Sequence, residues 1–193
     1  MITIKNLKRE LERSINDVFI VDAKGNIVLR DDLTIGDMMN FKSVESVTNN
    51  ILAVAQTCAF ADEIGEEDIK NHISNPNAKG FDVDYKCDGK RILAELKATV
   101  PCKLDGDSKK YGSNQAKSIS TDLENLVGIS DKGQKAQISP NDKKYMVLIG
   151  IAGQKVAFDK LKKPEGYNEK NIQIVYVKPT TCISAYDDCG WKT

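Results

Sequence analysis

Three charged side chains in the segment 80–97 have types and a spacing that could do chemistry together. The segment reads GFDVDYKCDGKRILAELK and contains Asp82, Glu95 and Lys97. Two carboxylates placed opposite each other on paired strands repel, and a divalent cation between them removes the repulsion. Lys97 lies two residues after Glu95, so it shares a strand face with that acid and can reach a metal-bound water or a phosphate oxygen. Two acids and a lysine around a hard cation form an arrangement that cleaves phosphodiesters, because the metal polarises the phosphate and helps to generate hydroxide.

A β-hairpin would bring these side chains together. The dipeptide Asp88-Gly89 suits a two-residue type I′ turn, since both central positions need a positive φ. Alternation of apolar and polar residues on either side predicts strands over 81–85 and 92–97. With the turn setting the register, Asp82 lies directly opposite Glu95. The other face of the hairpin is predicted to be apolar and to consist of the pairs Phe81–Leu96, Val83–Ala94 and Tyr85–Ile92.

The hairpin resembles the signature of a known group of enzymes. An aspartate on the first strand and the tripeptide Glu95-Leu96-Lys97 on the second are similar to the PD-(D/E)XK nuclease superfamily, which includes many restriction endonucleases, junction resolvases and repair nucleases. The resemblance implies that the carboxylates of Asp82 and Glu95 hold Mg²⁺ together with the backbone carbonyl of Leu96, and that Mn²⁺ could substitute. It also implies that Lys97 assists the attacking water.

Four further residues are candidates for accessory roles. Phe81 stands where the family has a proline before its aspartate, and this leaves Asp84 as a rival metal ligand. Family members often carry another acid on the preceding helix and a polar side chain on the following helix; the matching residues here are Glu45, Gln115 and Lys117. Each has an ordinary alternative, because acids near a helix N-terminus are favoured by the helix dipole and polar residues are common in a first turn.

The charged hairpin face also has a purely structural interpretation. Antiparallel strands commonly keep one face in water, and a lysine can offset carboxylates without any metal. The alternative to an enzyme is therefore a non-catalytic module that binds nucleic acid or protein on a nuclease-like fold.

Composition and charge set the wider limits. The chain has 193 residues, is 40% hydrophobic and 29% charged, and carries no net charge, which is unusual for a nucleic-acid-binding protein. Residues 1–75 carry a charge of −5 and residues 76–193 a charge of +5, so the candidate site lies in the basic part. Five cysteines without CxxC spacing and a single histidine argue against a disulfide framework or a zinc site. No apolar run has the length of a membrane span, and we expect a cytoplasmic protein without membrane contact.

The order of predicted elements indicates one domain. Helices are predicted at 3–15, 43–58, 66–74 and 113–127, and strands at 17–22, 27–30, 81–85, 92–97, 145–151 and 172–178. The first helix is predicted to bury Ile4, Leu7, Leu11 and Ile15. Ser43 is expected to cap the second helix, with Glu45 in its first turn, and the polar segments 98–112 and 128–144 are expected to be loops.

We therefore expect an α/β (α+β) fold over residues 1–193. The resemblance implies a restriction-endonuclease-like core over 43–178, with a mixed central β-sheet flanked by helices, and residues 1–42 as an N-terminal elaboration. That core normally has a strand between its first helix and the strand that carries the aspartate. In this sequence only the early hairpin or part of 77–85 could supply it.

The predicted function is that of a Mg²⁺-dependent endodeoxyribonuclease, most plausibly a restriction enzyme of type II. Such enzymes commonly act as homodimers on double-stranded DNA, because a two-fold protein matches a palindromic site. A junction resolvase, a repair nuclease or a nuclease toxin would use the same chemistry.

Overall fold

A computed structural model describes residues 1–16, 19–29, 34–75, 78–101, 103–105 and 108–191. The helices are α1 (Ile4–Asn16), α2 (Ile35–Ile64), α3 (Ser113–Val127), α4 (Asp131–Lys135) and α5 (Gln154–Asp159). The strands are β1 (Ile2–Thr3), β2 (Phe19–Val21), β3 (Ile27–Leu29), β4 (Val83–Cys87), β5 (Lys90–Lys97), β6 (Lys103–Asp105), β7 (Ser108–Lys110), β8 (Lys143–Ile149), β9 (Ile172–Val177) and β10 (Gly190–Trp191). Short 3-10 helices cover Glu67–His72, Asn168–Lys170 and Ile183–Tyr186.

A four-stranded mixed sheet lies at the centre, in the order β4-β5-β8-β9. Strands β4 and β5 are antiparallel, whereas β5, β8 and β9 run parallel to one another. Helix α3 lies in the connection from β5 to β8, since neighbouring parallel strands need a crossover. The predicted mixed α/β fold, with helices flanking a central sheet, is confirmed.

The hairpin that joins β4 to β5 has the predicted register over Val83–Cys87, whereas the predicted pairs Asp82–Glu95 and Phe81–Leu96 lie beyond the end of its ladder. Its ladder pairs Val83 with Ala94, Tyr85 with Ile92 and Cys87 with Lys90. Both turn residues are left-handed, with φ of 50° at Asp88 and 73° at Gly89. The local turn chemistry thus sets the positions of the charged side chains at the far end of the hairpin.

The two faces of the sheet bury separate apolar clusters. The cluster between the sheet and α2 contains Phe60, Val83, Tyr85, Ile92, Ala94, Tyr145 and Val147. The cluster between the sheet and α3 contains Phe81, Leu93, Ile119, Leu123, Leu126, Met146 and Leu148. The prediction that Phe81 shares a face with Val83 is wrong. The ladder ends at the pair of Val83 and Ala94, so the strand alternation no longer governs Phe81, which packs on the α3 face.

A third cluster packs α1 against α2 and includes Ile4, Leu7, Val47, Ile51, Val54, Cys58, Tyr186 and Trp191. The prediction that Ile15 belongs to the buried stripe of α1 is wrong, since Ile15 is 37% exposed. Strand β1 pairs with β10, which brings Ile2 opposite Trp191 and so covers this cluster.

Helix α2 begins eight residues earlier than predicted. It starts at Ile35, so Ser43 lies inside the helix and does not cap it. A glycine such as Gly36 costs only about 1 kcal/mol within a helix and does not end it.

Two segments predicted as loops contain regular structure. Strand β6 pairs antiparallel with β7 within 98–112, and α4 lies within 128–144. Both are short elements in polar sequence, where hydrophobic periodicity carries little signal. The predicted N-terminal hairpin is confirmed for β2 and β3, whereas Asp17, Val18 and Arg30 lie outside the described residues.

Within the described ranges, no strand lies between α2 and β4. The early hairpin of β2 and β3 pairs with itself and not with the central sheet. The family's usual first strand is thus not supplied by either of these segments. In the same ranges, no helix combines the length and the apolar composition that crossing a membrane requires.

Replacing Gly89 by alanine is expected to lower the free energy of unfolding by about 1 kcal/mol, because an L-residue is strained at a positive φ. A Cβ atom at this position would have no heavy atom within 4 Å, so the loss would come from backbone strain and not from a clash. Urea denaturation measures the effect. Asp88→Asn is the matched control, since asparagine tolerates the left-handed conformation. Equal stability of the Gly89→Ala variant and the parent would show that the turn does not need glycine.

Candidate functional site

The candidate site lies at the end of β5, where its ladder with β4 stops. The last pair of that ladder is Val83 with Ala94. Beyond it, the backbone N–H of Leu96 donates a hydrogen bond to the side chain of Asp82, at Oδ2, over 2.7 Å. The N–H and C=O of one strand residue point to the same neighbouring strand. The Leu96 carbonyl is therefore directed towards the Asp82 side of the strand.

Glu95 lies on the α3 face of β5 and is only 2% exposed. Its Oε1 accepts hydrogen bonds from Asn125 Nδ2 at 2.9 Å and from Lys132 Nζ at 2.6 Å. Ser130 in turn donates from its hydroxyl to Asn125 Oδ1 at 2.6 Å. Side chains from α3, α4 and the connection between them therefore fix the orientation of this carboxylate.

Like charges crowd around Glu95. Burial is the main cause that raises the pKa of Glu95 to about 7, and the carboxylates of Asp122 and Asp82 add to it, while Lys132 acts in the opposite direction. The two acids of the predicted pair, Asp82 and Glu95, thus lie within electrostatic reach of each other. A perturbed carboxyl beside a specific set of charges is typical of functional sites and also of structural ion networks.

Lys97 forms an ion pair with a residue that the sequence analysis did not single out. Its Nζ lies 2.8 Å from Oδ2 of Asp122, which is on α3 and 8% exposed. Burial raises the pKa of the Asp122 carboxyl and the Asp82 charge adds to this, whereas Lys97 and Lys132 lower it. The ion pair holds the Lys97 ammonium beside the acids.

A signal for Asp122 was present in the sequence. It lies three residues after Ile119 and four before Leu126, so an acid falls within the apolar stripe of α3. Asn125 falls on the same side three residues later. A buried polar group of this kind needs a partner, and the partners here come from β5.

An open cleft of about 380 Å³ runs beside this site, between α2 and the end of β5. Asp82, Leu96 and Lys97 line one side. The other side is rich in neutral polar groups and includes Asn49, Asn50, Gln56, Thr57, Ser74 and Asn75. Asp82, Leu96 and Lys97 are therefore accessible from solvent beside a wall that can form hydrogen bonds without adding charge, whereas Glu95 does not line the cleft.

Gln56 ties α2 to the sheet at the base of this cleft. Its Nε2 donates to the backbone carbonyls of Lys97 and Val147 at 3.3 and 3.0 Å. The residue is 4% exposed, so its amide joins the ends of β5 and β8 inside the protein. This contact sets the position of the wall relative to Lys97.

The rival ligand Asp84 is bound elsewhere. Both of its oxygens accept hydrogen bonds from Arg91, with Nε to Oδ1 at 2.8 Å and Nη2 to Oδ2 at 2.6 Å. This guanidinium lowers the pKa of the Asp84 carboxyl. Asp82 is therefore better placed than Asp84 to hold a metal beside Glu95.

The other accessory candidates lie at the margin. Glu45 is exposed and is the eleventh residue of α2, so its predicted place in the first turn is wrong, because the helix begins at Ile35. It precedes by one turn the residues of α2 that line the cleft.

Gln115 accepts a hydrogen bond from the backbone N–H of Gly112 and donates to the carbonyl of Val100, so it stabilises the start of α3. Lys117 is exposed.

The oxygen atoms of Asp82, Glu95 and the Leu96 carbonyl are of the type that a magnesium ion with few protein ligands accepts. In the described part of the chain, no three His, Cys, Asp or Glu side chains group in a way that could hold a metal. Mg²⁺ is usually bound by one or two carboxylates and keeps several waters, so two acids and a carbonyl suffice. The hydrogen bonds found among the described residues use only Oδ2 of Asp82 and Oε1 of Glu95. One oxygen of each carboxylate is left for a cation.

We expect stability in EDTA to fall as the pH rises from about 4.5 to about 7, and Glu95→Gln to remove most of this fall. The pKa of Glu95 is raised in the folded state from its ordinary value of 4.5 to about 7, so the folded protein binds the extra proton in this range. The contribution is fully present below pH 4.5 and is lost by pH 7, with an upper limit of about 3 kcal/mol. Urea denaturation at several pH values measures it.

The exposed acid Glu45 provides the control, since Glu45→Gln should leave the pH profile of stability unchanged. A Glu95→Gln variant whose stability follows the same pH profile as the parent would contradict the assignment.

No protein-family model, curated protein or solved structure matches this chain. A function for the chain therefore has to be argued from the side chains of the site.

Proposed function

We propose that this protein is a Mg²⁺-dependent endodeoxyribonuclease that hydrolyses phosphodiester bonds of double-stranded DNA. The observation that carries the proposal is the convergence of Asp82, Glu95 and Lys97 at the end of one hairpin, beside an open cleft. Acids that repel one another favour a bound cation, and a lysine at their side suits phosphate chemistry.

The arrangement of the sheet supports a restriction-endonuclease-like core. The strand with the Glu-x-Lys tripeptide, β5, is antiparallel to the strand that follows Asp82 and parallel to the strand reached through α3. This is the order that the resemblance implies for the second half of the core. The chain differs from such a core in one respect, because the described residues contain no strand between α2 and β4.

Each residue has a distinct role in the proposed reaction. Asp82, Glu95 and the Leu96 carbonyl would hold the cation, which when bound neutralises charge on the phosphate and makes water a better nucleophile. Lys97 lines the cleft and would orient the attacking water by donating hydrogen bonds to it. Asp122 is a positioning residue, because it fixes the Lys97 ammonium through their ion pair.

Lys132 balances Glu95 when no cation is bound. Its ammonium contacts Glu95 Oε1 and lies 5.0 Å from the centre of the Phe81 ring. A lysine that neutralises a buried carboxylate competes with a cation for it. The metal affinity of the site therefore depends on this residue as well as on the ligands.

The DNA partner and a homodimer, as in restriction enzymes of type II, remain predictions from the resemblance. The excess of positive charge over residues 76–193 suits a polyanion. A non-catalytic module on the same fold would have the same sheet and cleft. Measurements of DNA cleavage and of thermal unfolding with Mg²⁺ distinguish it from a nuclease.

We expect the protein with Mg²⁺ to cleave plasmid and genomic DNA, and Asp82→Asn or Lys97→Met to lower the rate at least 100-fold. Loss of a ligand or of a water-orienting group typically removes that much catalysis. Agarose gels measure the cleavage, and EDTA should abolish it. Asp84→Asn is the matched control, because Asp84 is an acid two residues after Asp82 before the same turn but is held by Arg91. Cleavage that survives Asp82→Asn would contradict the assignment of the ligand.

We expect Mg²⁺ to raise the midpoint of thermal unfolding at pH 7.5, since a ligand that binds only the folded state stabilises it. At 100 times its dissociation constant the gain is about 2.7 kcal/mol. Asp82→Asn should abolish the gain, whereas Lys97→Met should keep it, because Lys97 is not a ligand. Metal binding without DNA cleavage in the parent protein would favour the non-catalytic module, and no shift at all would contradict the metal site.

A further inference from the structure

A second pocket, of about 330 Å³, lies where α3 ends, α4 passes and β8 begins. None of its lining residues belongs to the cleft beside Asp82. Its wall includes Val127, Gly128, Gly133, Ser139, Lys144 and Lys170. The volume lies within the range of small-molecule sites, about 300–1,000 Å³. The proposed reaction makes no use of this pocket.

Lys144 is buried in the wall of this pocket without a direct partner. It is 4% exposed, because it lies on the α3 face of β8 with Met146 and Leu148. Its ammonium makes no hydrogen bond or ion pair with any residue in the part of the chain that the structure describes. The ammonium nitrogen is not among the described side-chain atoms that are both fully buried and without a partner, so it reaches the surface of the pocket. A largely buried lysine without a protein partner is favoured when an anionic ligand lies against it.

The acid that acts on Lys144 is already engaged. Asp142 Oδ2 accepts a hydrogen bond from the backbone N–H of Ser139 at 2.8 Å and lies 3.6 Å from Nη1 of Arg91. Asp142 therefore offsets only part of the charge of Lys144. It stabilises the turn before β8 instead.

A second cation faces the same pocket. Lys170 lines it and is exposed to solvent. Burial and the charge of Lys170 lower the pKa of Lys144, while Asp142 acts in the opposite direction. Two lysines that converge on one pocket leave a positive charge that an anion would neutralise.

We propose that this pocket binds a phosphate group, with Lys144 as the buried anchor and Lys170 at the entrance. Phosphate carries between one and two negative charges at neutral pH, and lysine binds it as a point charge. Ser139 also lines the pocket, and its hydroxyl accepts a hydrogen bond from the backbone N–H of Asn141 at 3.3 Å. The phosphate can belong to a small molecule or to the backbone of a nucleic acid. The proposal is independent of the site at Asp82.

The first test uses inorganic phosphate and the full-length chain in EDTA, with chloride at equal ionic strength as the reference. At ten times its dissociation constant, phosphate is expected to raise the unfolding midpoint by about 3–6 °C. Lys144→Met should weaken phosphate binding at least tenfold. Lys143→Met is the matched control, because Lys143 is the exposed neighbour and its side chain is on the other face of the strand. A similar loss in Lys170→Met would support the shared pocket.

Folding is not expected to limit the test, because methionine at position 144 removes an unpaired buried charge. The Lys144→Met variant should unfold at the same temperature as the parent without phosphate, or at a higher one.

The second test identifies the source of the phosphate with a fluorescent DNA duplex in EDTA. If the pocket takes a backbone phosphate, Lys144→Met should lower duplex affinity and reduce the slope of log affinity against log salt by about one. A loss of affinity for inorganic phosphate alone would assign the pocket to a small molecule. If Lys144→Met and Lys143→Met bind both probes as the parent does, the proposal is wrong.

Discussion

Electrostatic repulsion at the end of β5 is the constraint on which the candidate site depends. Glu95 is buried between β5 and α3, and the charges of Asp82 and Asp122 lie close enough to act on it. Two lysines reduce this repulsion, because Lys132 contacts Glu95 and Lys97 contacts Asp122. Since Glu95 and Lys97 lie on β5 while their partners lie on α4 and α3, the positions of α3 and α4 against the sheet are tied to the charge balance of the site. Any change in that balance, including the arrival of a cation, alters the free energy of the whole arrangement.

The hairpin was predictable because its determinants are local. The turn at Asp88 and Gly89 sets the register, and a period of two then assigns each side chain to a face. The same reasoning failed for Phe81, because the ladder ends at Val83, two residues after Phe81, and a side chain outside a ladder follows packing. The start of α2 was missed because a glycine within a helix costs too little to end it.

The partners of the predicted residues could not be derived in the same way. Asp122 and Lys132 lie 25 or more positions from the side chains that they contact, and nothing in a period of two or of 3.6 links them. An acid within the apolar stripe of α3 did indicate that some partner was needed. The crossover from β5 to α3 decides which partner it meets, and that is a property of the tertiary fold. The burial of Lys144 could not be predicted either, because a lysine at the start of a predicted strand is normally expected to be exposed.

The pairing of β1 with β10 has a consequence for how the chain folds. Thr3 lies opposite Gly190, and a Cβ atom at that glycine would fall 1.9 Å from the carbonyl oxygen of Ile2. Only a residue without a side chain therefore allows the two backbones to approach so closely. The pairing joins segments that almost the whole chain separates, and closing so large a loop is entropically expensive until other contacts have shortened it. We therefore expect this seam to form late in folding and to open first, which would expose the buried end of α1 ahead of the central sheet.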